Sequence, residues 1–509
     1  MPDRSARAAG LAPWLVAAGC LVVGLALAQP FVDAAVSFDT QANVVYFDRL
    51  VGSARLEQQL STTPKPFLTL VDGLLYRLTG DWRPLVWATL LVHAAAAAMA
   101  VVLARRAAGV TAGVLVGLAV AGAPLLIEDA GLGNAVPWAV AGWLLAWLLA
   151  TGTRPRPVAA GAVLLLAALC RLETLVIVAA VGAALGWARW GPWWLPGPRP
   201  VVAARSWWLV ILPFGALPVM LVHDALLIGD PLFWLKVSQR YSDAVRESRD
   251  ILGPLERFGW LLRRYARWWP YAGLAIVGLG ILVRSRRWGE LAAVIGAGGG
   301  IAAFLVLLAA RGIYAPERYA VPIDVAVLVL AAVGFAGLVT AAANRLAAGP
   351  DARRRWAIVA LAIVAGGTAI VASRGGPADP GVARALTSIR TMNENAGRML
   401  PQIAPLTASG ADQPHVAVVV PTAVRLRSAI ELGLPLDRVG GLSLAYLDPS
   451  GDDLAAGQLV FHDRAGDVPV GDYGALESGS RIEIGDLALE PIDADPDHGA
   501  WLLRVFARP

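Results

Sequence analysis

Residues 84–104 read PLVWATLLVHAAAAAMAVVLA, Arg105-Arg106 interrupt, and residues 108–127 read AGVTAGVLVGLAVAGAPLLI. Each run matches the roughly 20 apolar residues that a helix needs to cross the ~30 Å hydrocarbon core of a bilayer. The arginine pair between them is too costly to leave in hydrocarbon, so it marks a turn at a membrane surface. Two spans joined by a short basic loop set the pattern for most of the chain.

Of the 509 residues, 57% are hydrophobic and 16% charged, and the mean hydropathy is +0.60. Soluble domains carry about 25% charged residues. The deficit excludes an ordinary cytosolic enzyme, a nucleic-acid binder and a disordered regulator. The charge is also unevenly spread. Residues 1–373 hold 32 Lys+Arg against 20 Asp+Glu, whereas residues 374–509 hold 11 against 18. A basic membrane part is thus followed by an acidic, water-soluble one. The only cysteines, Cys20 and Cys170, lie in apolar runs, which argues against a structural disulfide or a Cys-based metal site.

Leu11–Ala28, preceded by Arg4 and Arg7, reads as an uncleaved first helix, being longer than a usual signal core. Further spans are expected over Ala135–Ala150, Val158–Cys170, Thr174–Trp187, Trp207–Leu227, Pro270–Val283, Leu291–Ala310, Val321–Thr340 and Trp356–Ala372. The basic clusters between them are Arg105-Arg106, Arg154/Arg156, Arg189–Arg205, Arg284/Arg286/Arg287 and Arg345–Arg355. Short basic loops stay cytoplasmic. All five clusters and the N-terminus share one side if Val158–Trp187 is a hairpin of two short helices with Arg171-Leu172-Glu173 at its tip. The expectation is a mainly α protein: a polytopic bundle of about eleven helices, N-terminus inside, with a small C-terminal extracytoplasmic α/β domain. The expected domains are 1–373 and 374–509. In the second, helices are expected over Ala383–Met399 and Ala423–Leu432, and strands over His415–Val420, Arg481–Ile484 and Trp501–Phe506.

Two outside loops are long. Residues 30–83 contain Asp33, Asp39, Asp48, Arg49 and Lys65, then Phe67–Leu78, a stretch too short to span and suited to lying along the interface. Residues 229–269 gather Arg257, Arg263, Arg264 and Arg267 with Trp260, Trp268 and Trp269.

No Walker loop, nucleophile elbow or paired-His zinc pattern is present, and the five histidines are scattered. What remains for chemistry is ionisable residues near apolar helix ends on the outer side. Asp39, in Ser37-Phe38-Asp39-Thr40-Gln41, is open to two readings: a general base toward a hydroxyl, or the cap of a helix beginning near Thr40. Asp48-Arg49 suits an intraloop pair. Glu128-Asp129 reads either as a solvated turn or as a pair that binds a divalent cation or orients a substrate. Arg318, in Pro316-Glu317-Arg318-Tyr319, is a phosphate ligand or an interfacial anchor.

The ordered set of motifs resembles the GT-C superfamily of polytopic glycosyltransferases, including bacterial mannosyl- and aminoarabinose-transferase-like members. Phe38-Asp39-Thr40-Gln41-Ala42 resembles its first-loop acidic motif. Thr63-Pro64-Lys65-Pro66-Phe67 with Leu74–Asp81 resembles its Pro-led juxtamembrane helix. Cys170-Arg171-Leu172-Glu173 resembles its Arg-Pro-Glu turn, with Leu in place of Pro. Ile228–Phe233 and Arg318–Pro322 resemble later outside-face motifs. The likeness spans about residues 11–340.

The resemblance implies transfer of a sugar from a polyprenyl-phosphate donor to a glycan, lipid or protein acceptor, with inversion, at the outer face of a bacterial inner membrane. It implies Asp39 as catalytic base. Gln41, Lys65, Glu128, Asp129, Arg171, Glu173, Arg318 and Tyr319 would bind substrate, and Arg263, Arg264 and Arg267 would add cations for the phosphate. No cofactor is required by this reading, a divalent cation being the one open alternative. Asp39-Thr40 replaces the family's adjacent acids. The competing readings are a lipid-linked-sugar flippase or other transporter, which calls for mid-bilayer charges and repeated halves, and an assembly scaffold.

Overall fold

The computed structural model describes residues 36–52, 63–151, 154–190, 204–239, 252–346 (except 268, 314 and 316), 380–407, 417–421, 424–432, 438–442, 456–463, 478–484, 487–495 and 500–507, with a few isolated positions. The expected helices Leu11–Ala28 (two isolated positions apart) and Trp356–Ala372 lie outside the described residues.

The first part is helical: α1 Phe38–Leu50, α2 Pro66–Thr79, α3 Arg83–Ala121, α4 Pro124–Gly131, α5 Val136–Thr151, α6 Pro157–Cys170, α7 Thr174–Trp190, α8 Trp208–Phe214 and α9 Ala216–Ile228. It continues with α10 Pro254–Arg267, α11 Trp269–Arg284, α12 Trp288–Ile295, a π turn Gly296–Gly300, α13 Ile301–Ala310 and α14 Val321–Leu346. Four stretches are long and apolar enough to cross a membrane: Arg83–Ala121, Arg205–Ile228, Gly289–Ala310 and Arg318–Ala342. There are six if the bent pairs Leu125–Gly131 with Val136–Thr151 (116°) and Pro254–Ala266 with Trp269–Arg284 (93°) each count as one.

α3 is two helices. At Ala108-Gly109 the backbone leaves the helical region, with φ +88° at Gly109, a value that suits glycine. His93 Nε2 lies 3.1 Å from the Ala121 carbonyl, 28 residues away. A straight helix would separate them by roughly 42 Å, so the chain doubles back at the arginine pair. Both runs are helical as expected, but the second stops at Ala121. Pro124 has no N–H with which to continue a helix and instead opens α4. Glu128 and Asp129 therefore sit on a short helix and not in a turn.

The basic clusters converge. Arg106 Nη1 donates to the Leu148 carbonyl (3.4 Å), Arg156 N–H to the Leu149 carbonyl (2.8 Å), and Gly289, just after Arg287, packs on Thr151. All three contacts lie at the C-terminal end of α5, about 24 Å of helix away from Val136 at its start.

The C-terminal part has α15 Pro380–Thr407 and α16 Arg425–Leu432 against a sheet of order β2-β1-β3-β6-β5-β4. β1 (Val418–Pro421) runs parallel to β2 (Val439–Leu442) and β3 (Leu459–Asp463). β6 (Ala500–Ala507) is antiparallel to β3 and to β5 (Leu487–Asp495), which carries β4 (Ile482–Ile484). Met392, Met399 and Ile403 of α15 and Ala429 of α16 bury against Val418 and Phe461. Strands β2, β3 and β5 go beyond the sequence expectation. Gly440-Gly441 interrupts the strand signal of β2, and Pro491 breaks the apolar alternation of β5.

α11 and α14 cross at glycines: a Cβ on Gly278 would overlap the Leu330 carbonyl, and one on Gly334 the Leu274 carbonyl. Such small residues let membrane helices approach backbone to backbone. Gly334→Val is expected to cost roughly 3 kcal/mol or more by overpacking, read as loss of the monodisperse peak in detergent. Gly280→Val, on the same α11 but facing open space, is expected to leave that peak intact.

Candidate active site

The site is built around the first turn of α1. Its N-cap is Ser37, whose Oγ accepts from Thr40 N–H (3.1 Å). Asp39 is thereby released from capping, correcting one of its two sequence readings. The helix starts at Phe38, one residue ahead of Asp39, so the Asp39 carboxylate projects outward from the first turn.

This turn is stitched to the segment joining α4 and α5. Ser37 N–H donates to the Leu132 carbonyl (3.0 Å), Ser37 Oγ to Asn134 Oδ1 (2.6 Å), and Thr40 Oγ1 reaches the Leu132 (3.1 Å) and Gly133 (2.9 Å) carbonyls. Asn134 Nδ2 in turn donates to Asp129 Oδ1 (2.7 Å). Asp129 is buried within electrostatic reach of Arg318, Arg171 and Asp39. Glu128 is half-buried beside it. Successive helical residues diverge by about 100°, so the two acids do not form one facing pair. Among the described residues no three His, Cys, Asp or Glu side chains converge as metal ligands.

Two cations meet Asp39 Oδ2: Lys65 Nζ at 3.1 Å and Arg318 Nη2 at 3.7 Å. Lys65 is delivered by Pro66, which begins α2 at the residue after it. Arg318 is delivered by the 3-10 turn Glu317–Ala320 that leads into α14. Beside Arg318, the break between α6 and α7 holds Arg171 and Glu173 in a two-point pair, Nη2–Oε1 2.8 Å and Nε–Oε2 3.4 Å. The Arg171 guanidinium lies 4.8 Å over the Tyr319 ring, and Tyr319 also hydrogen-bonds Glu173. Burial works against the Glu173 carboxylate, but Arg171 outweighs it and holds the group below its ordinary range.

Arg171, Glu173, Arg318 and Tyr319 line a pocket together with apolar side chains. Its walls are Val136, Val140, Trp143, Ile177, Ile301 and Pro322. A charged mouth on an apolar cleft fits an amphiphile with an anionic head.

Of the expected site residues, Asp39, Lys65, Asp129, Arg171, Glu173, Arg318 and Tyr319 are drawn into one cluster. Gln41 is not: fully buried, it donates from Nε2 to the Val36 carbonyl (2.9 Å) and accepts at Oε1 from Arg427 N–H (2.9 Å). Its amide is engaged within the protein. Of the expected cationic patch, Arg263 is exposed and Arg264 is engaged within the protein. Arg264 is held by Asp324 (2.7 and 3.2 Å), which Tyr265 also binds (2.7 Å), and Arg257 donates to the Ala315 carbonyl (3.0 Å). Arg49 donates to the Leu227 carbonyl.

No protein-family model matches the chain, and no curated protein matches it in sequence. Solved structures do match in shape. ArnT from Cupriavidus metallidurans bound to undecaprenyl phosphate superposes at TM-score 0.52 with 16% identity, over 96% of this chain and 97% of that one. The apo form of the Archaeoglobus fulgidus oligosaccharyltransferase superposes at 0.51 with 11% identity, over 89% and 70%. The chain shares the fold of these two solved structures. The likeness to the first covers 96% of the chain, whereas the sequence motifs stop near residue 340.

Sequence reasoning passed over Asn43 and Asp72. They face each other from α1 and α2 (Nδ2–Oδ2 2.8 Å), buried behind Lys65. Their only sequence signal is polarity inside an apolar segment. Burial pushes the Asp72 carboxyl up to about 7 from the ordinary 3.8, with Asn43 and Lys65 pulling the other way. The folded state therefore holds this proton more tightly than the unfolded state. The stabilisation is complete below about pH 4 and fades as pH rises toward 7, by up to about 4 kcal/mol at ~1.4 kcal/mol per unit. Wild-type Tm is expected to fall more steeply between pH 5 and 8 than that of Asp72→Asn. Equal slopes in the two proteins would exclude this coupling.

Proposed function

We propose that the chain is a membrane glycosyltransferase that moves a sugar from a polyprenyl-phosphate donor to an acceptor hydroxyl, inverting the anomeric centre. Residues 1–373 form the catalytic membrane module and residues 374–509 an outer α/β unit. The site faces the extracytoplasmic side of a bacterial plasma membrane. The observation that carries the reading is Asp39 within 4 Å of both Lys65 and Arg318, the second of which lines an apolar cleft. The GT-C fold, and the undecaprenyl phosphate bound to ArnT, support it. Sidedness is supported by the arginine clusters collected at the end of α5 away from the site, where short-loop cations mark the cytoplasm.

The donor's isoprenoid chain lies along the cleft walls, and its phosphate sits among Lys65, Arg318 and Arg171. Arg318 Nε is buried without a hydrogen-bond partner, leaving a donor for a phosphate oxygen. A phosphate carries more negative charge than a carboxylate and competes with Asp39 for the two cations. Once they turn to it, Asp39 is free to act as general base. The acceptor oxygen attacks the anomeric carbon from the face opposite the phosphate, and its proton passes to Asp39. The carbon–oxygen bond to phosphate breaks, with its electrons leaving on the polyprenyl phosphate. Lys65 and Arg318 stabilise that charge as it develops.

In purified enzyme supplied with undecaprenyl-phosphate mannose or aminoarabinose and native membranes as acceptor, Asp39→Asn is expected to lower transfer at least ~100-fold. Binding of undecaprenyl phosphate is expected to stay within a few-fold. Undiminished transfer by a normally folded variant would remove Asp39 from this role.

A further inference from the structure

α1 is held from two directions. On one side Ser37 and Thr40 bond to residues 132–134. On the other, α16 packs against it, and Ala42, Val45 and Tyr46 of α1 share one apolar cluster with Met392, Met399 and Val424. Gln41 is the polar contact at this junction. Arg427 is the third residue of α16, where a backbone N–H has no partner within its own helix. Gln41 Oε1 supplies that partner from 386 residues away, while Gln41 Nε2 closes on the Val36 carbonyl just ahead of the Ser37 cap. One fully buried amide thus joins the start of α16 to the start of α1, two residues from Asp39. α16 is itself anchored: Arg427 reaches Asn393 (2.7 and 3.1 Å) and Glu431 (2.7 Å), and Glu431 accepts from Trp82 Nε1 (3.4 Å).

We infer that Gln41 is a positioning residue through which the C-terminal unit sets the placement of Asp39, making that unit part of the catalytic frame. The inference rests on the role proposed above for Asp39. Loss of the amide frees the first turn of α1 and misplaces the base, while the cleft and its cations, which come from other elements, still bind the donor. Turnover falls and donor affinity does not.

The test uses the full-length protein in lipid nanodiscs. Gln41→Met keeps side-chain length and removes both hydrogen bonds. In Gln41→Glu the protonated acid can donate to Val36 and accept from Arg427 as the amide does, and the carboxylate cannot donate. The expected results for Gln41→Met are a kcat at least tenfold lower, a donor KM and undecaprenyl phosphate affinity within twofold of wild type, and faster amide hydrogen exchange over residues 37–46. Gln41→Glu is expected to regain turnover relative to wild type as pH falls. Unchanged kcat with unchanged exchange overturns the inference, as does a raised KM with normal kcat. If Gln41→Met does not fold, a Gln41→Glu to wild-type ratio of turnover that is flat with pH overturns it. If wild-type protein transfers no sugar, the functional reading fails, and exchange over 37–46 alone decides whether Gln41 couples the two units.

Discussion

A carboxylate kept ionised beside a low-dielectric bundle is stabilised by cations placed next to it, and the geometry around Asp39 follows from that constraint. Asp39 belongs to a short helix outside the candidate spans, yet its charge is met by residues from the first turns of α2 and of the segment leading into α14. For the three to meet, α1 must be pinned, Pro66 must launch α2 where Lys65 can turn inward, and the turn Glu317–Ala320 must carry Arg318 to the same place. The neighbouring Arg171–Glu173 pair obeys the same rule. Two charges at a break between apolar helices neutralise each other, with Arg171 stacked on Tyr319 and Glu173 hydrogen-bonded to it.

The walls and the mouth of the cleft have separate origins. The apolar walls come from α5, α7, α13 and the start of α14. The charged residues come from helix ends and connecting turns. This division suits an amphiphilic ligand, because the tail can be accommodated by generic packing while the head meets a few fixed groups.

Much of this was legible from residue order alone. Apolar length gave the helices, and the Arg105-Arg106 pair gave the reversal inside α3 that hydrogen-bonding continuity alone would hide. Most residues of the cluster were legible too, because charge is rare in such a chain and each occurrence near a helix end is informative. What was not legible depended on three-dimensional neighbours. Gln41 reads like a substrate ligand until α16 arrives against it, and Arg264 reads like a free cation until Asp324 is seen beneath it. Glu128 and Asp129 are equivalent in sequence, and only the helical rotation imposed by Pro124 separates them. Asn43 and Asp72 carried no pattern at all, since a lone polar residue in an apolar helix gives no hint of the partner across from it.

The 386-residue separation between Gln41 and Arg427 also has a consequence for biogenesis. At synthesis rates of about 5–20 residues per second, the N-terminal loop waits on the order of 20–80 seconds after leaving the ribosome before the contact that completes it exists. A nascent polypeptide can insert its spans and gather its lipid cleft during that interval while the loop is still unfinished. Assembly and competence are thereby separated in time, and a prematurely terminated product lacks the helix that contacts Gln41.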